Sequence, residues 1–213
     1  MTSWEQHILE AQRAADSAEL DTAETHLHQA MTMADELEPN DKRRFLAREM
    51  LADLRQRQGR VNDAEPLLQQ ALDVRKLRYG AFHQRYAEGL QNLASYYFEN
   101  ERFADAEQLS RMVLKILEKL SGAESEEAGH VAGQLADTLH ELGNFQDAEA
   151  LYVRAIRIRK NVAGPADPEG VYLIQRYAAL LEEIGRDDEA AHMRASAQGK
   201  ISGIIKALKP IVE

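Results

Sequence analysis

Histidine has the widest chemical range of the side chains in this sequence, because imidazole binds metals and exchanges protons near neutral pH. The chain has seven histidines, and His26 and His28 are close enough in sequence to suggest a metal-binding pair. Two residues apart on a helix, however, they point to different sides, whereas a shared ion needs partners at i and i+4. The spacing therefore predicts no metal site, and His130 and His140 are interpreted as ordinary polar surface residues.

Catalytic motifs are absent from the sequence. It contains no glycine-rich phosphate loop, no Gly-x-Ser-x-Gly, no His-Glu-x-x-His and no calcium-binding loop. The lack of cysteine excludes disulfides, thiolate zinc sites and a cysteine nucleophile. We therefore expect no catalytic residues, no cofactor and no enzyme activity.

Net charge and hydropathy limit the classes of partner that this protein can bind. A formal net charge of -10 argues against binding of nucleic acid, which usually requires a basic face. Residues 1–6 contain neither a basic stretch nor an apolar run, and no segment approaches the roughly 18 consecutive apolar residues of a membrane span. We expect a cytoplasmic protein that does not insert into membranes and that binds a neutral or basic partner.

The elements that would position a binding site come from an internal repeat with a step of 42 residues. Two series of alanines and one of glycines follow this step: Ala64, Ala106, Ala148 and Ala190; Ala52, Ala94, Ala136 and Ala178; Gly80, Gly122 and Gly164. Such a period is typical of a solenoid, whose units are stable only when stacked. Because two helices at close range need small side chains where their axes approach, the alanines are interpreted as helix contacts.

Each repeat contains two stretches with apolar residues at helical spacing. In the repeat that spans residues 83–122, for example, Tyr86, Leu90, Leu93 and Tyr97 form one stripe. Short polar or glycine-containing breaks separate the two stretches, so each unit is predicted to be a helix-turn-helix pair. The sequence thus predicts an all-α, right-handed α-solenoid over residues 1–198, with about five hairpins at 3–38, 41–80, 83–122, 125–164 and 167–197.

Helix ends are marked in the same pattern. The glycine series is predicted to end the second helix of each hairpin, because glycine adopts positive φ without strain. Three residues after each glycine the next helix is predicted to begin, at His83, Ser125 and Asp167, with Asp41 at the equivalent place one step earlier. Aspartate and serine are preferred helix N-caps.

Residues 199–213 are predicted to form a separate C-terminal element. Ile201, Ile204, Ile205 and Leu208 recur at helical spacing, which indicates one amphipathic helix over 200–209 that ends at Pro210. Because the open end of a stack needs a cover, a capping helix is the favoured interpretation. The alternatives are a contact in a homodimer and binding to a membrane surface through the lysines.

The pattern resembles the tetratricopeptide repeat, and its 42-residue form resembles the repeats of kinesin light chains. The resemblance lies in Leu-Ala in the first helix, Ala-Glu at the start of the second and a glycine-containing joint, as in residues 64–80 followed by Leu90-Gln91-Asn92-Leu93-Ala94. It is close over 41–164 and looser in the first and last hairpins. It implies a concave groove, lined by the first helices, that receives an extended or helical peptide.

The resemblance also implies, by position, which side chains line that groove. They are mostly acids and amides: Glu49, Asp53, Gln91, Asn92, Ser95, Phe98, Gln134, Asp137, His140, Gln175, Arg176 and Glu182. Amides both donate and accept hydrogen bonds, so they can bind a peptide backbone whatever its side chains. The acids favour a basic or amphipathic protein or peptide as partner.

We therefore predict a non-catalytic protein-interaction module, a scaffold or adaptor that binds a peptide or protein segment in the groove. A second hypothesis is a dedicated chaperone for one secreted or assembled client. A hypothesis of another class is an enzyme or small-molecule sensor with a site between hairpins, for which the sequence offers no motif.

Overall fold

The computed structural model describes residues 3–164 and 167–197, and these ranges contain ten α-helices and no β-strand. The helices are α1 (Trp4–Asp16), α2 (Leu20–Asp35), α3 (Lys42–Arg57), α4 (Val61–Tyr79), α5 (Gln84–Glu99), α6 (Phe103–Ser121), α7 (Glu126–Glu141), α8 (Phe145–Ala163), α9 (Pro168–Glu183) and α10 (Asp187–Ala197). They follow one another in five successive pairs. The all-α repeat architecture predicted from the sequence is thereby confirmed. None of the described helices is both long and apolar enough to cross a membrane.

The chain divides into two compact units, residues 1–96 and 97–213. The boundary falls inside α5, so unit 1 contains α1 to α4 with most of α5, and unit 2 contains the end of α5 with α6 to α10. Within each unit, helices that are adjacent in sequence also pack against each other, from α1 to α4 and from α6 to α10. This packing of sequence neighbours, with a smaller contact between α7 and α9, is typical of a stack of repeats.

The core of unit 1 joins the first hairpin to α3. Ala11 of α1, Ala23 of α2, and Leu51 and Leu54 of α3 belong to one buried cluster. Ala23 and Ala64 are completely buried, which leaves no space for a larger side chain at either helix contact. The interpretation of the repeated alanines as contact residues is confirmed here.

Unit 2 repeats this packing. Ala106, Ala148 and Ala190 at the starts of α6, α8 and α10 are all buried. Between α8 and α9, the rings of Tyr152 and Tyr177 lie 6.1 Å apart, and both tyrosines are buried. Two aromatic side chains thus contribute to the buried interface between α8 and α9.

The N-terminal helix ends lie where the sequence predicts them. The side chains of Asp41, Ser125 and Asp167 each accept a backbone hydrogen bond from the first turn of α3, α7 and α9. His83 has the same role for α5, because its Nδ1 accepts the N–H of Arg85 at 3.0 Å. Every predicted cap in this series therefore satisfies one of the free N–H groups of its helix.

The glycine series ends α4, α6 and α8, as predicted. Gly80, Gly122 and Gly164 have φ angles of 82°, 95° and 86°. Residues with a Cβ enter this region only with strain, so glycine here terminates the helix at little cost.

The predicted C-terminal helix over 200–209 lies outside the described residues. The cap, the homodimer contact and the membrane-surface interpretation therefore stay predictions.

Candidate peptide-binding surfaces

A cavity of about 500 Å³ lies in unit 1 between α1, α2 and α3. Its lining combines small and apolar side chains with acids, an amide and a guanidinium: Ala11, Gln12, Ala15, Asp16, Leu27, Glu49, Met50, Asp53, Leu54 and Arg57. The volume is within the range of about 300–1,000 Å³ that ligand pockets occupy. Two of the predicted groove residues, Glu49 and Asp53, are thus brought together at one cavity.

Helix geometry explains why polar side chains gather along this cavity. Glu49, Asp53 and Arg57 follow one another at intervals of four residues on α3, so they share one face of that helix. Gln12 and Asp16 have the same spacing on α1. The buried cluster of unit 1 provides the apolar floor between these two polar rows.

Glu49 is the more firmly held of the two acids. Its carboxylate accepts two hydrogen bonds from Arg75 of α4, at 2.7 and 2.9 Å. Arg75 is itself buried, with its guanidinium carbon 4.1 Å from the ring centre of Phe45 and a further hydrogen bond to the carbonyl of Arg85. Because this bidentate pair largely neutralises Glu49, the residue supports the wall of the cavity more than it attracts a ligand.

Asp53 is the more accessible acid. Its carboxylate lies 2.9 Å from Nε of Arg57, and the two side chains are 61% and 54% exposed. An exposed i,i+4 pair contributes little to stability and exchanges readily with other partners. Asp53 can therefore leave Arg57 to bind a cation on a ligand.

The groove residues predicted between 91 and 98 all lie on α5. Asn92 is exposed, whereas Gln91, Ser95 and Phe98 are half-buried. The ring of Phe98 packs edge-on against Phe103, with centroids 5.4 Å apart. Asn92 is thus the residue of this set best placed to meet a ligand.

In unit 2, the predicted groove residue Asp137 lies inside a buried polar network. One carboxylate oxygen accepts the hydroxyl of Tyr152 at 2.6 Å and Nε of Arg176 at 2.8 Å. The other accepts the hydroxyl of Tyr172 at 3.0 Å. Asp137 is only 7% exposed, so its charge is satisfied within the protein.

The network controls protonation as well as position. Burial, together with the charge of Asp137, raises the pKa values of Tyr152 and Tyr172 above the usual range, so both hydroxyls keep their protons and their donor role further into alkaline pH than an exposed tyrosine would. His140 joins the same network, with Nδ1 3.4 Å from the Tyr152 oxygen and Nε2 3.2 Å from Glu183. His140 is 6% exposed, so its interpretation as a surface residue is wrong.

The remaining predicted residues of unit 2 are more accessible. Gln175 and Glu182 are exposed and Gln134 is half-buried. Arg176 pairs with Glu141 at 2.8 Å in addition to Asp137, and Glu182 pairs with Arg194. His130, which was interpreted from the sequence as an ordinary polar surface residue, pairs with Glu169.

Sequence reasoning missed two kinds of residue. Tyr152 could have been recognised as a departure from the repeat, because Ser110 and Leu68 occupy the same position one and two steps earlier. Gln12 could have been found by aligning Ala11 with Ala52, because Gln12 then occupies the repeat position that Asp53 occupies in the next hairpin. Both residues can be identified by comparing the repeats with one another, but not from any motif within a single repeat.

The family comparison supports the repeat assignment. Models of the tetratricopeptide repeat match residues 44–119 and 129–169, which together make up more than half of the chain. No curated protein matches the sequence significantly.

Solved structures share the fold at low sequence identity. BtubC (BKLC) from P. vanneervenii has a TM-score of 0.80 and 22% identity, over 94% of this chain and 80% of that one. A kinesin light chain candidate from Podosopora anserina with nearly identical TPR-like repeats has a TM-score of 0.78 and 21% identity, over 96% of both chains. A Rap protein complexed with Competence and Sporulation Factor has a TM-score of 0.64 and 13% identity, over 92% of this chain and 54% of that one.

Proposed function

The chain belongs to the tetratricopeptide-repeat family, and we propose that it is a non-catalytic interaction module that binds a peptide segment in the cavity of unit 1. The cavity between α1, α2 and α3 is the observation that carries this proposal. Gln12, Asp16 and Asp53 on its rim are exposed, so a ligand in the cavity keeps one side in water. A peptide that inserts one or two side chains can bind while the rest of it stays in water. Small-molecule sites, in contrast, bury about 70–90% of their ligand.

The lining indicates the chemistry of the peptide. Alanine, leucine and methionine side chains on the floor favour an apolar anchor. Asp16, Glu49 and Asp53 surround that floor. Arg75 neutralises Glu49. Arg57 pairs with Asp53, so the lining and these partners together still carry a net negative charge. A lysine or arginine next to the apolar anchor would displace Arg57 from Asp53 and complete the match in charge.

A related fold offers a precedent for ligand binding. A Rap protein with this fold has been solved in complex with Competence and Sporulation Factor. That ligand belongs to the Rap protein, and the precedent supports only the idea that a stack of such helices holds a partner. The exposed amides Asn92 and Gln175 remain predicted ligand contacts of their own units.

The proposal is tested by selecting binders and then closing the cavity. A displayed library of random peptides is selected on the full chain, and the affinity of a recovered peptide is measured by fluorescence anisotropy. Gln12→Trp places an indole at the cavity rim, where Gln12 is exposed, so the protein should still fold. We expect binding to weaken at least about tenfold, because the ring occupies the space of the anchor.

Arg13→Trp is the matched control. Arg13 is the next residue of α1, is exposed and does not line the cavity. It should bind the peptide as the parent does. Equal loss in both variants, or full affinity in Gln12→Trp, would exclude this cavity as the binding site.

A further inference from the structure

Three side chains of the first hairpin form a cluster that the proposed function does not use. His7 and Glu10 lie one turn apart on α1, and His26 faces them from α2. The Nδ1 atoms of the two histidines are 3.1 Å apart, and Nε2 of His26 is 3.3 Å from a carboxylate oxygen of Glu10. One ligand atom from each residue lies within 4.8 Å of the other two.

The distance between the two imidazoles suits a shared metal ion. Zinc binds histidine nitrogen at about 2.0–2.1 Å, so two nitrogens separated by 3.1 Å subtend an angle of roughly 100° at the ion, close to the tetrahedral value. The rings are tilted by 38° with their centres 5.4 Å apart, and the two Nδ1 atoms are within hydrogen-bond distance of each other, so binding an ion requires the side chains to rotate until both lone pairs meet at it. A glutamate with half of its side chain exposed can turn to supply the third ligand.

Burial makes this cluster more than a chance surface contact. His7 is 9% exposed and its ring is held between the helices, whereas the side chains of His26 and Glu10 are 23% and 46% exposed. The buried histidine is thus preorganised, while the exposed side of the cluster leaves a path for an ion and a position for water. Three protein ligands with an open fourth position form a recognised type of zinc coordination.

We propose that His7, Glu10 and His26 bind a divalent transition-metal ion, with Zn²⁺ as the preferred species, and that the ion clamps α1 to α2. Imidazole nitrogens select zinc and its neighbours in the first transition row over calcium or magnesium, which require oxygen ligands. Because His26 precedes Leu27 and Glu10 precedes Ala11, both of which line the cavity, the clamp would stiffen two of its walls. The proposal stands independently of the ligand of that cavity.

The sequence-based prediction of no metal site tested only whether His26 could share an ion with His28. In the structure His28 lies in a different environment, where Nε2 is 3.1 Å from Nη2 of Arg55 and 3.5 Å from Glu24. Arg55 and Arg60 also pair with Glu24, so guanidinium groups already occupy that carboxylate. The partner of His26 comes from another helix, 19 residues earlier in the chain, where spacing within one helix cannot identify it.

The test uses the full chain without a histidine tag. Zn²⁺ is titrated in competition with a chromophoric chelator, and Co²⁺ is added separately to record its visible spectrum. We expect one high-affinity ion per chain and the intense absorption of four-coordinate Co²⁺. The thermal midpoint should rise by roughly 5 °C or more at a free Zn²⁺ concentration about 100 times the dissociation constant, since the ion binds only the folded state.

Variants assign the ligands. His26→Gln and Glu10→Gln alter partly exposed side chains, so folding should survive, and His26→Gln should weaken Zn²⁺ binding at least about tenfold and abolish the Co²⁺ spectrum. His7→Gln should do the same, with circular dichroism as the check of its fold. His28→Gln and His192→Gln are the controls and should keep parental affinity.

Two results would overturn the proposal. One is an intact chain that binds Zn²⁺ no more tightly than the His26→Gln variant. The other is loss of binding in His28→Gln with retention in His26→Gln, which would move the ion to the other face of α2.

Discussion

The hydroxyl of Tyr152 donates to the carboxylate of Asp137 at 2.6 Å, and both residues are buried. This hydrogen bond joins α8 to α7, and Arg176 of α9 supplies the compensating positive charge on the same oxygen. A carboxylate in the interior is tolerable only when its hydrogen bonds and its charge are both satisfied. Asp137 is therefore a structural link among three helices of unit 2.

The first prediction follows from that link. Asp137→Ala should lower the free energy of unfolding by roughly 3 kcal/mol or more, because Tyr152, Tyr172 and Arg176 lose their common acceptor. Urea denaturation followed by circular dichroism measures the change.

Asp53→Ala is its matched control. Asp53 occupies the same position as Asp137 two repeat steps earlier, but it forms only an exposed pair with Arg57. Its loss should cost less than about 1 kcal/mol. Similar costs at the two positions would mean that the network around Asp137 does not stabilise unit 2.

This contrast also marks the limit of what the sequence could predict. The repeat step correctly identified the helices, their capping residues and the buried alanines, because those features depend on local patterns that recur. The family resemblance assigned Asp53 and Asp137 one role in the groove, since both occupy one position of the repeat. The difference between them arises from Tyr152 and Arg176, which reach Asp137 from other helices.

The cavity of unit 1 was predictable only in part. Glu49 and Asp53 were placed in a groove through the family resemblance, and they do line the cavity. The opposite wall comes from α1, whose repeat matches the others loosely, so Gln12 and Asp16 were not identified. Volume and burial depend on how helices pack, and a single sequence does not encode these quantities in any local pattern.

The second prediction concerns the alanine contacts. Ala106→Glu should destabilise the protein by roughly 3 kcal/mol or more, since it forces volume and an unpaired charge into a position that is 1% exposed. Thermal melting is the measurement. Ala123→Glu, at an exposed position between α6 and α7, is the control and should leave the midpoint nearly unchanged. A parental midpoint for Ala106→Glu would contradict the repeat alignment.

The third prediction concerns a turn that lacks its glycine. Glu101 has a φ of 59°, whereas the equivalent positions one step away on either side are Gly59 and Gly143, both at 73°. A left-handed conformation costs a residue with a Cβ about 1–2 kcal/mol. Glycine avoids this strain, but it also makes the unfolded chain more flexible, which offsets part of the gain in stability. Glu101→Gly should therefore stabilise the protein by about 0.5–1 kcal/mol.

The reciprocal change tests the same turn. Gly143→Ala puts a Cβ into the same conformation within unit 2 and should destabilise the protein by about 1 kcal/mol. Chemical denaturation of both variants gives the two values. If both substitutions shift stability in the same direction, backbone strain is not the cause.

The last prediction concerns the charge of the cavity. It compares two acids that each pair with an arginine on the same helix. Asp53 at the cavity and Glu107 on α6 each pair with an arginine four residues later, Arg57 and Arg111. Charge reversal therefore breaks an i,i+4 pair in both cases, although the side chain of Glu107 is 24% exposed against 61% for Asp53 and Arg111 keeps a second acidic partner on α8. Only Asp53 lies on the proposed binding surface. Asp137 is unsuitable for this experiment because reversal of its buried charge would unfold its surroundings.

We expect Asp53→Lys to weaken binding of a selected basic peptide mainly by slowing its association, because long-range attraction acts on the encounter of the two molecules. Glu107→Lys should change the rate little. Raising the ionic strength should slow association with the parent and narrow the difference between parent and Asp53→Lys, since salt screens the exposed charges. Stopped-flow fluorescence at low and moderate salt provides these rates. Equal rates for the two variants, or faster association with Asp53→Lys, would show that the acidic rim of unit 1 does not attract the peptide, and the apolar floor alone would then have to account for its affinity.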